Sequence, residues 1–233
     1  MAGIADLIDR RGFVLVPGIA AAGEIEALKS LFSNADMARA ERAGRTFGAR
    51  NLLKLPEVES FSASSKLADY LRPLLGNNFR ATRGIFFDKT EGANWPVLWH
   101  QDLSLAVKEK RDLPGWILWS VKRGVPHVQP PATVLARMIT VRLHLDDCPA
   151  ENGALRVIPG SHQDGKLSRG RIQEMTSGEA DTVTALAGDA LFMRPLLLHA
   201  SSAALLPRHR RVLHIEFAPA DLLPPELDWA EGA

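Results

Sequence analysis

Cysteine is all but missing: Cys148 is the single thiol in 233 residues. One thiol makes no internal disulfide, which excludes a disulfide-stapled secreted scaffold and makes a reducing, cytoplasmic setting the expectation. An excess of either charge is missing too. Lys and Arg number 28 against 27 Asp and Glu, a formal +1 that gives no reason to expect nucleic acid or a membrane as partner. No apolar run approaches the roughly 20 residues of a membrane span. Residues 1–10 carry acids among their apolar positions, so no signal-peptide core is expected there. Internal repeats, low-complexity tracts and a second-domain boundary are also lacking. The remainder, 46% hydrophobic and 24% charged, suits one soluble domain over 1–233 with an ordinary core. Oligomeric state is not written in it.

What is present divides in two. The first part, about 1–78, carries helical signals interrupted by a short strand at 13–16. Ile4, Leu7 and Ile8 make a short amphipathic segment, and Ile25, Leu28, Leu31 and Phe32 recur at helical spacing. One long helix is predicted from Pro56 to Leu75, with Leu67, Leu71 and Leu74 on one face and Gly76 as its stop. These helices are expected on the outside of a sheet. From about 79 to 218, short strand signals dominate: 79–88, 97–105, 138–145, 154–158, 181–186, 190–193, 196–199 and 211–218. Many short strands without alternating helices argue for a sandwich or barrel. The predicted class is an all-β core with flanking α-helices, a double-stranded β-helix (jelly roll, cupin-like) whose sheets taper round a ligand cavity.

Residues 106–137 read as an insertion into that core. It holds a charged run at 108–112, then Trp116, Trp119 and the stretch Pro126-His127-Val128-Gln129-Pro130-Pro131. Long irregular segments are functional or disordered, and the tryptophans and prolines argue against disorder. The segment is expected to be a lid that brings His127 and Gln129 to a substrate, with a packed surface loop as the alternative.

The chemistry-bearing residues are histidines and acids. Two imidazoles and one carboxylate occupy one face of an Fe(II) ion and leave the other open to a co-substrate and dioxygen. His-x-Asp, which on a strand puts both side chains on one face, occurs three times: His100-Gln101-Asp102, His144-Leu145-Asp146 and His162-Gln163-Asp164. His162 sits in a turn between Gly160 and Gly165, without strand alternation. His144 lies on a strand with Ile139, Val141, Leu143 and Leu145 on one face and Thr140, Arg142 and His144 on the other. Periodicity does not decide between His100 and His144. Arg142, His144 and Arg83 are candidates for substrate contact, with structural roles as the alternative; Lys89, Arg50 and Asn51 are further candidates. Cys148 is expected to be inert, because Asp146 and Asp147 disfavour a thiolate beside them.

Four stretches carry a family likeness: Trp99-His100-Gln101-Asp102-Leu103; Asn152-Gly153 through Pro159-Gly160-Ser161-His162; Gly188-Asp189-Ala190; and His199-Ala200-Ser201 with Arg210 eleven residues past His199. Together they resemble the phytanoyl-CoA dioxygenase (PhyH-like) family of Fe(II)/2-oxoglutarate-dependent oxygenases. The run from Gly12 to Gly18 is similar to that family's opening strand, so the resemblance covers about 11 to 218. It implies that His100, Asp102 and His199 hold iron, and that Arg210 binds the far carboxylate of 2-oxoglutarate with Ser201 as a helper. It implies dioxygen as the second co-substrate, and an enzyme hydroxylating an unactivated C–H bond of a small metabolite, with release of succinate and carbon dioxide. Asp102 speaks against the related halogenases, which carry a small residue there. Desaturation, ring formation and demethylation stay open, as does whether the substrate is CoA-linked. The rival is a non-catalytic or differently metallated cupin-like ligand-binding protein, which has no need of Arg210.

Overall fold

Period-two patterning builds the core, and helical stripes cover one side of it. The computed structural model describes residues 3–34, 39–42, 45–205 and 208–231. Its first part contains α1 (Ile4–Arg11), β1 (Phe13–Val16), α2 (Ala22–Asn34), β2 (Arg39–Arg42), β3 (Arg45–Arg50), α3 (Pro56–Ser62) and α4 (Ser65–Leu75). Then come β4 (Phe79–Lys89), β5 (Val97–His100), β6 (Leu105–Ala106), β7 (Ile117–Lys122), β8 (Val125–Gln129), α5 (Ala132–Leu135) and β9 (Ile139–His144). The last part holds β10 (Leu155–Val157), α6 (Arg169–Met175), β11 (Asp181–Val183), β12 (Ala190–Met193), β13 (His199–Ser201) and β14 (Arg210–Pro219).

The strands form a major antiparallel sheet in the order β1-β12-β9-β14-β4-β3-β2 and a minor one in the order β11-β10-β13-β5. This is the jelly roll expected from the strand pattern. On the outer face of the major sheet, Ile139, Val141 and Leu143 of β9 and Leu213, Ile215 and Phe217 of β14 pack with Ile8, Leu28, Phe61, Leu67 and Leu71 from the helices. Each such side chain contributes about 1.5–3 kcal/mol of burial free energy. The inner face differs along its length. At one end, Leu191 and Met193 of β12 meet Leu155, Val157 and Val183 of the minor sheet in an apolar seam. At the other end the alternation of β4, β9 and β14 turns polar residues inward. Register sets Lys89 opposite Arg210, Ile85 opposite His214 and Arg83 opposite Glu216; across β14, His144 stands opposite Val212 and Arg142 opposite His214.

Several elements depart from expectation. The single helix predicted over 56–75 is two, because the Ser64 hydroxyl accepts from the Leu67 amide and caps a fresh start. The strand expected at 97–105 ends at His100 and resumes as β6. The strand expected at 196–199 begins only at His199, since a turn joins the Leu197 amide to the Arg194 carbonyl. The pair β2–β3 had no expectation. Residues 106–137 are no irregular loop: β6, β8 and β7 form a third sheet. Its Leu105, Val107, Trp116 and Val128 pack against Leu222, Leu227 and Trp229, so the C-terminal tail covers this sheet. No helix among the described residues is long and apolar enough to cross a membrane.

Candidate metal centre and the pocket beside it

Adjacent strands of the minor sheet bring the site together. His100 ends β5 and His199 opens β13, and the two residues are direct cross-strand partners with ring centroids 4.2 Å apart. Asp102 lies just past the end of β5, where its amide donates to the Pro195 carbonyl at 2.9 Å. Gln101 between them is buried and pins the turn. Its Nε2 donates to the carbonyls of Gly165 (2.7 Å) and Leu196 (2.6 Å), while its Oε1 accepts from the Leu167 amide at 2.8 Å. His100 Nε2 stands 3.8 Å from Asp102 Oδ1, and His199 Nε2 stands 3.7 Å from Oδ2. The three ligand atoms lie within 4.8 Å of one another, and they are the one such group among the described residues.

Hydrogen bonding aims the donors. His100 Nδ1 is 2.8 Å from the Leu98 carbonyl and His199 Nδ1 is 2.8 Å from that of Leu197. A carbonyl only accepts, so each Nδ1 carries a proton and each Nε2 is left facing Asp102, the atom that would ligate a metal. Burial alone would raise the Asp102 pKa, but His199, His214, His100 and Arg83 outweigh it and hold the group well below the usual carboxylate range. Burial pulls His199 down to about 4 although Asp102 opposes it, so the imidazole is neutral at pH 7. The buried Asp102 Oδ2 has no hydrogen-bond partner. Two imidazoles with their Nε2 atoms facing one ionised carboxylate that has an unsatisfied oxygen fit a divalent first-row ion such as Fe(II).

A cavity of about 170 Å³ opens beside this group, between the two sheets. Lys89, Arg142, Ser201, Arg210 and His214 supply its polar wall. Arg210 is buried; its Nη1 donates to the Gly153 carbonyl and its Nε has no partner. Gly153 has φ +66°, and a Cβ there would stand 2.7 Å from the Ser202 carbonyl oxygen. Lys89 Nζ donates to Ser201 Oγ at 3.0 Å and to the Ser202 carbonyl at 2.9 Å. Burial, with Arg210 nearby, pulls the Lys89 ammonium down to about 7. Three cations thus face a space whose lining contains one carboxylate, Asp102.

The remaining candidates divide. Arg142 lines the cavity; His144, two residues on, does not, and both of its ring nitrogens are buried without partners. Burial, Arg142 and Arg210 push His144 down to about 3. His127 and Gln129 are buried on β8 outside the cavity lining, His127 with its Nδ1 at 3.0 Å from the Val125 carbonyl. Arg83 is likewise outside the lining, ion-paired to Glu216. His162 sits in a 3-10 turn, 3.2 Å from the Asp9 carbonyl. Cys148 is buried, and burial, not its acidic neighbours, raises its pKa against the pull of Arg210 and Arg142. Sequence reasoning missed His214, although period two from Arg210 through Val212 points to it. A larger cavity of about 640 Å³, lined by Lys29, Asp146, Asp147, Glu151, Arg208 and His209 among others, shares no residue with the metal group.

Comparison with known proteins gives a family and a fold. Residues 8–212 match the phytanoyl-CoA dioxygenase (PhyH) family. A probable α-ketoglutarate-dependent hypophosphite dioxygenase of Stutzerimonas stutzeri is 28% identical over 184 residues, covering 72% of this chain but 54% of that protein. The chain therefore spans about half the length of that relative. Among solved structures, the non-heme α-ketoglutarate-dependent epimerase SnoN from nogalamycin biosynthesis superposes with a TM-score of 0.66 at 20% identity, covering 93% of this chain and 81% of SnoN. HygX from Streptomyces hygroscopicus, solved with nickel and 2-oxoglutarate bound, gives 0.65 at 20% identity, covering 92% of this chain and 85% of HygX. At these identities the superpositions speak for the fold.

Proposed function

The chain belongs to the phytanoyl-CoA dioxygenase family, and on that premise we propose that it is an Fe(II)- and 2-oxoglutarate-dependent dioxygenase acting on a small molecule. The observation that carries this is the pair of imidazoles whose Nδ1 atoms are tied to backbone carbonyls, leaving both Nε2 atoms turned to the ionised Asp102 carboxylate, His100 toward Oδ1 and His199 toward the unpartnered Oδ2. His100, Asp102 and His199 would hold the ion. Arg210, Lys89 and Ser201 would take the far carboxylate of 2-oxoglutarate, two cations and a hydroxyl round one end of the cavity. With dioxygen, the bound ion and keto acid together supply a strong oxidant, with succinate and carbon dioxide as by-products.

The chain's own residues do the rest. Gln101 holds the turn between the ligands, so that His100 and Asp102 keep their spacing before and after binding. The Gly153 carbonyl orients the Arg210 fork. Phe87, Trp95, Val97 and Leu155 wall the cavity with apolar surface and limit water around the reacting atoms. A volume of about 170 Å³ is below that of drug-sized sites, which supports small ligands here. Hypophosphite, in the name of the S. stutzeri relative, is small as well. Hydroxylation of an unactivated bond is the outcome we favour, and the single buried thiol fits a cytoplasmic setting.

Equilibrium dialysis against Fe(II) tests the ligand set. His100→Ala and His199→Ala are expected to abolish iron binding, while His144→Ala and His162→Ala retain it. Loss of iron in His144→Ala with retention in His100→Ala would sink the assignment.

A further inference from the structure

Arg142 is a buried cation with no ion-pair partner among the described residues. It is 8% exposed and lines the cavity. Its Nη1 donates to His214 Nδ1 at 3.0 Å, its Nε has no partner, and the Phe87 ring centroid lies 5.9 Å from Cζ. Since Nδ1 of His214 accepts, its proton sits on Nε2, 3.5 Å from Glu216 Oε1, and Glu216 is paired with Arg83. His214 thus takes one N–H of the guanidinium, with the Arg83–Glu216 ion pair beyond it, and the Arg142 Nε keeps its N–H unengaged. A buried guanidinium without an anion is strongly disfavoured, and it persists where a ligand completes it.

The co-substrate does not complete it. In the proposed function the far carboxylate of 2-oxoglutarate meets Arg210 and Lys89, and the near one meets the ion, whose charge Asp102 only half cancels. Both negative charges are then engaged, and Arg142 stays positive. We infer that Arg142 binds an oxyanion carried by the substrate itself, so that the substrate is a small acid, its carboxylate, phosphonate or sulfonate head on Arg142 and its reacting atom beside the metal ligands. A fork of donors fits all three head groups. The inference rests on the proposed function for the identity of the co-substrate.

Calorimetry on protein loaded anaerobically with Fe(II) and 2-oxoglutarate tests it, with propionate, ethylphosphonate and ethanesulfonate as probes. At least one probe is expected to bind saturably, and the three arms tell which head group is preferred. Arg142→Met should weaken that probe by about tenfold or more, the worth of a charge-assisted hydrogen bond, while 2-oxoglutarate affinity changes by less than about threefold. Arg142→Lys, which keeps the charge but loses the fork, should fall between and carries the test if the Met variant does not fold. The idea is overturned if no probe binds the wild type, or if Arg142→Met weakens 2-oxoglutarate and spares the probe. Should the wild type bind no 2-oxoglutarate, the oxygenase reading falls. The same probes on protein loaded with metal alone then decide: binding lost in Arg142→Met keeps the oxyanion site, and no binding removes it.

Discussion

Lys89 shows how burial tunes a single side chain to the task proposed for it. Its ammonium, desolvated and near Arg210, titrates at about 7 instead of its usual 10.5. A carboxylate bound against it favours the protonated form, so above pH 7 binding must take up a proton. With the metal in place, the dissociation constant for 2-oxoglutarate should be flat below about pH 7 and rise by up to about tenfold per pH unit above it. Lys89→Met should bind more weakly at low pH and lose the slope. Calorimetry from pH 6 to 8.5 reads both, and a wild-type profile without slope would remove Lys89 from the site. The same scale explains the choice among the three His-x-Asp motifs. His144 is on a true strand with the right alternation, yet among the described residues no second histidine and carboxylate converge on it; His100 has His199 as its cross-strand partner.

At the scale of elements, Gly153 links a turn to the pocket. Its positive φ and the 2.7 Å gap that a Cβ would leave to the Ser202 carbonyl allow no side chain, and its own carbonyl seats Arg210. Gly153→Ala should cost about 1–2 kcal/mol of stability from the left-handed backbone alone. It should also weaken 2-oxoglutarate binding by shifting Arg210. Chemical denaturation together with a 2-oxoglutarate titration checks both, and a destabilised variant with unchanged affinity would make the glycine purely structural.

Much of this was legible in the sequence. Alternation along 138–145 separated the helix-facing residues of β9 from the face that carries Arg142, and the family spacing, not the alternation, picked Arg210 over Arg211, which pairs with Asp146 on the outside. The two-helix break was written in Ser64, a capping residue that the hydrophobic stripe concealed. His214 and Glu216 were readable from the period of β14, but polar residues facing a cavity look like solvent-facing ones until the opposing sheet is known. The β7–β8 hairpin was illegible for a related reason: β7 is exposed along nearly its whole length, and β8 buries polar His127 and Gln129, so no hydrophobic alternation marks them. What fixes that sheet is the distant tail, through Leu222, Leu227 and Trp229.

For the whole molecule, the arrangement is a division of labour between two sheets. The minor sheet offers the proposed metal ligands on β5 and just beyond it and on β13; the major sheet offers cations on β4, β9 and β14. An apolar seam closes one end and the charged cavity occupies the other. On the proposed function, neither sheet alone could hold both an ion and a keto acid. Anaerobic titration of the Fe(II)-loaded protein with 2-oxoglutarate tests that union most directly, because the visible metal-to-keto-acid charge-transfer absorption needs both bound together. The expected result is a band that saturates in the wild type and is missing in His199→Ala, with Arg210→Ala reaching it only at much higher 2-oxoglutarate. A folded protein that holds iron yet develops no band at any concentration would contradict the account.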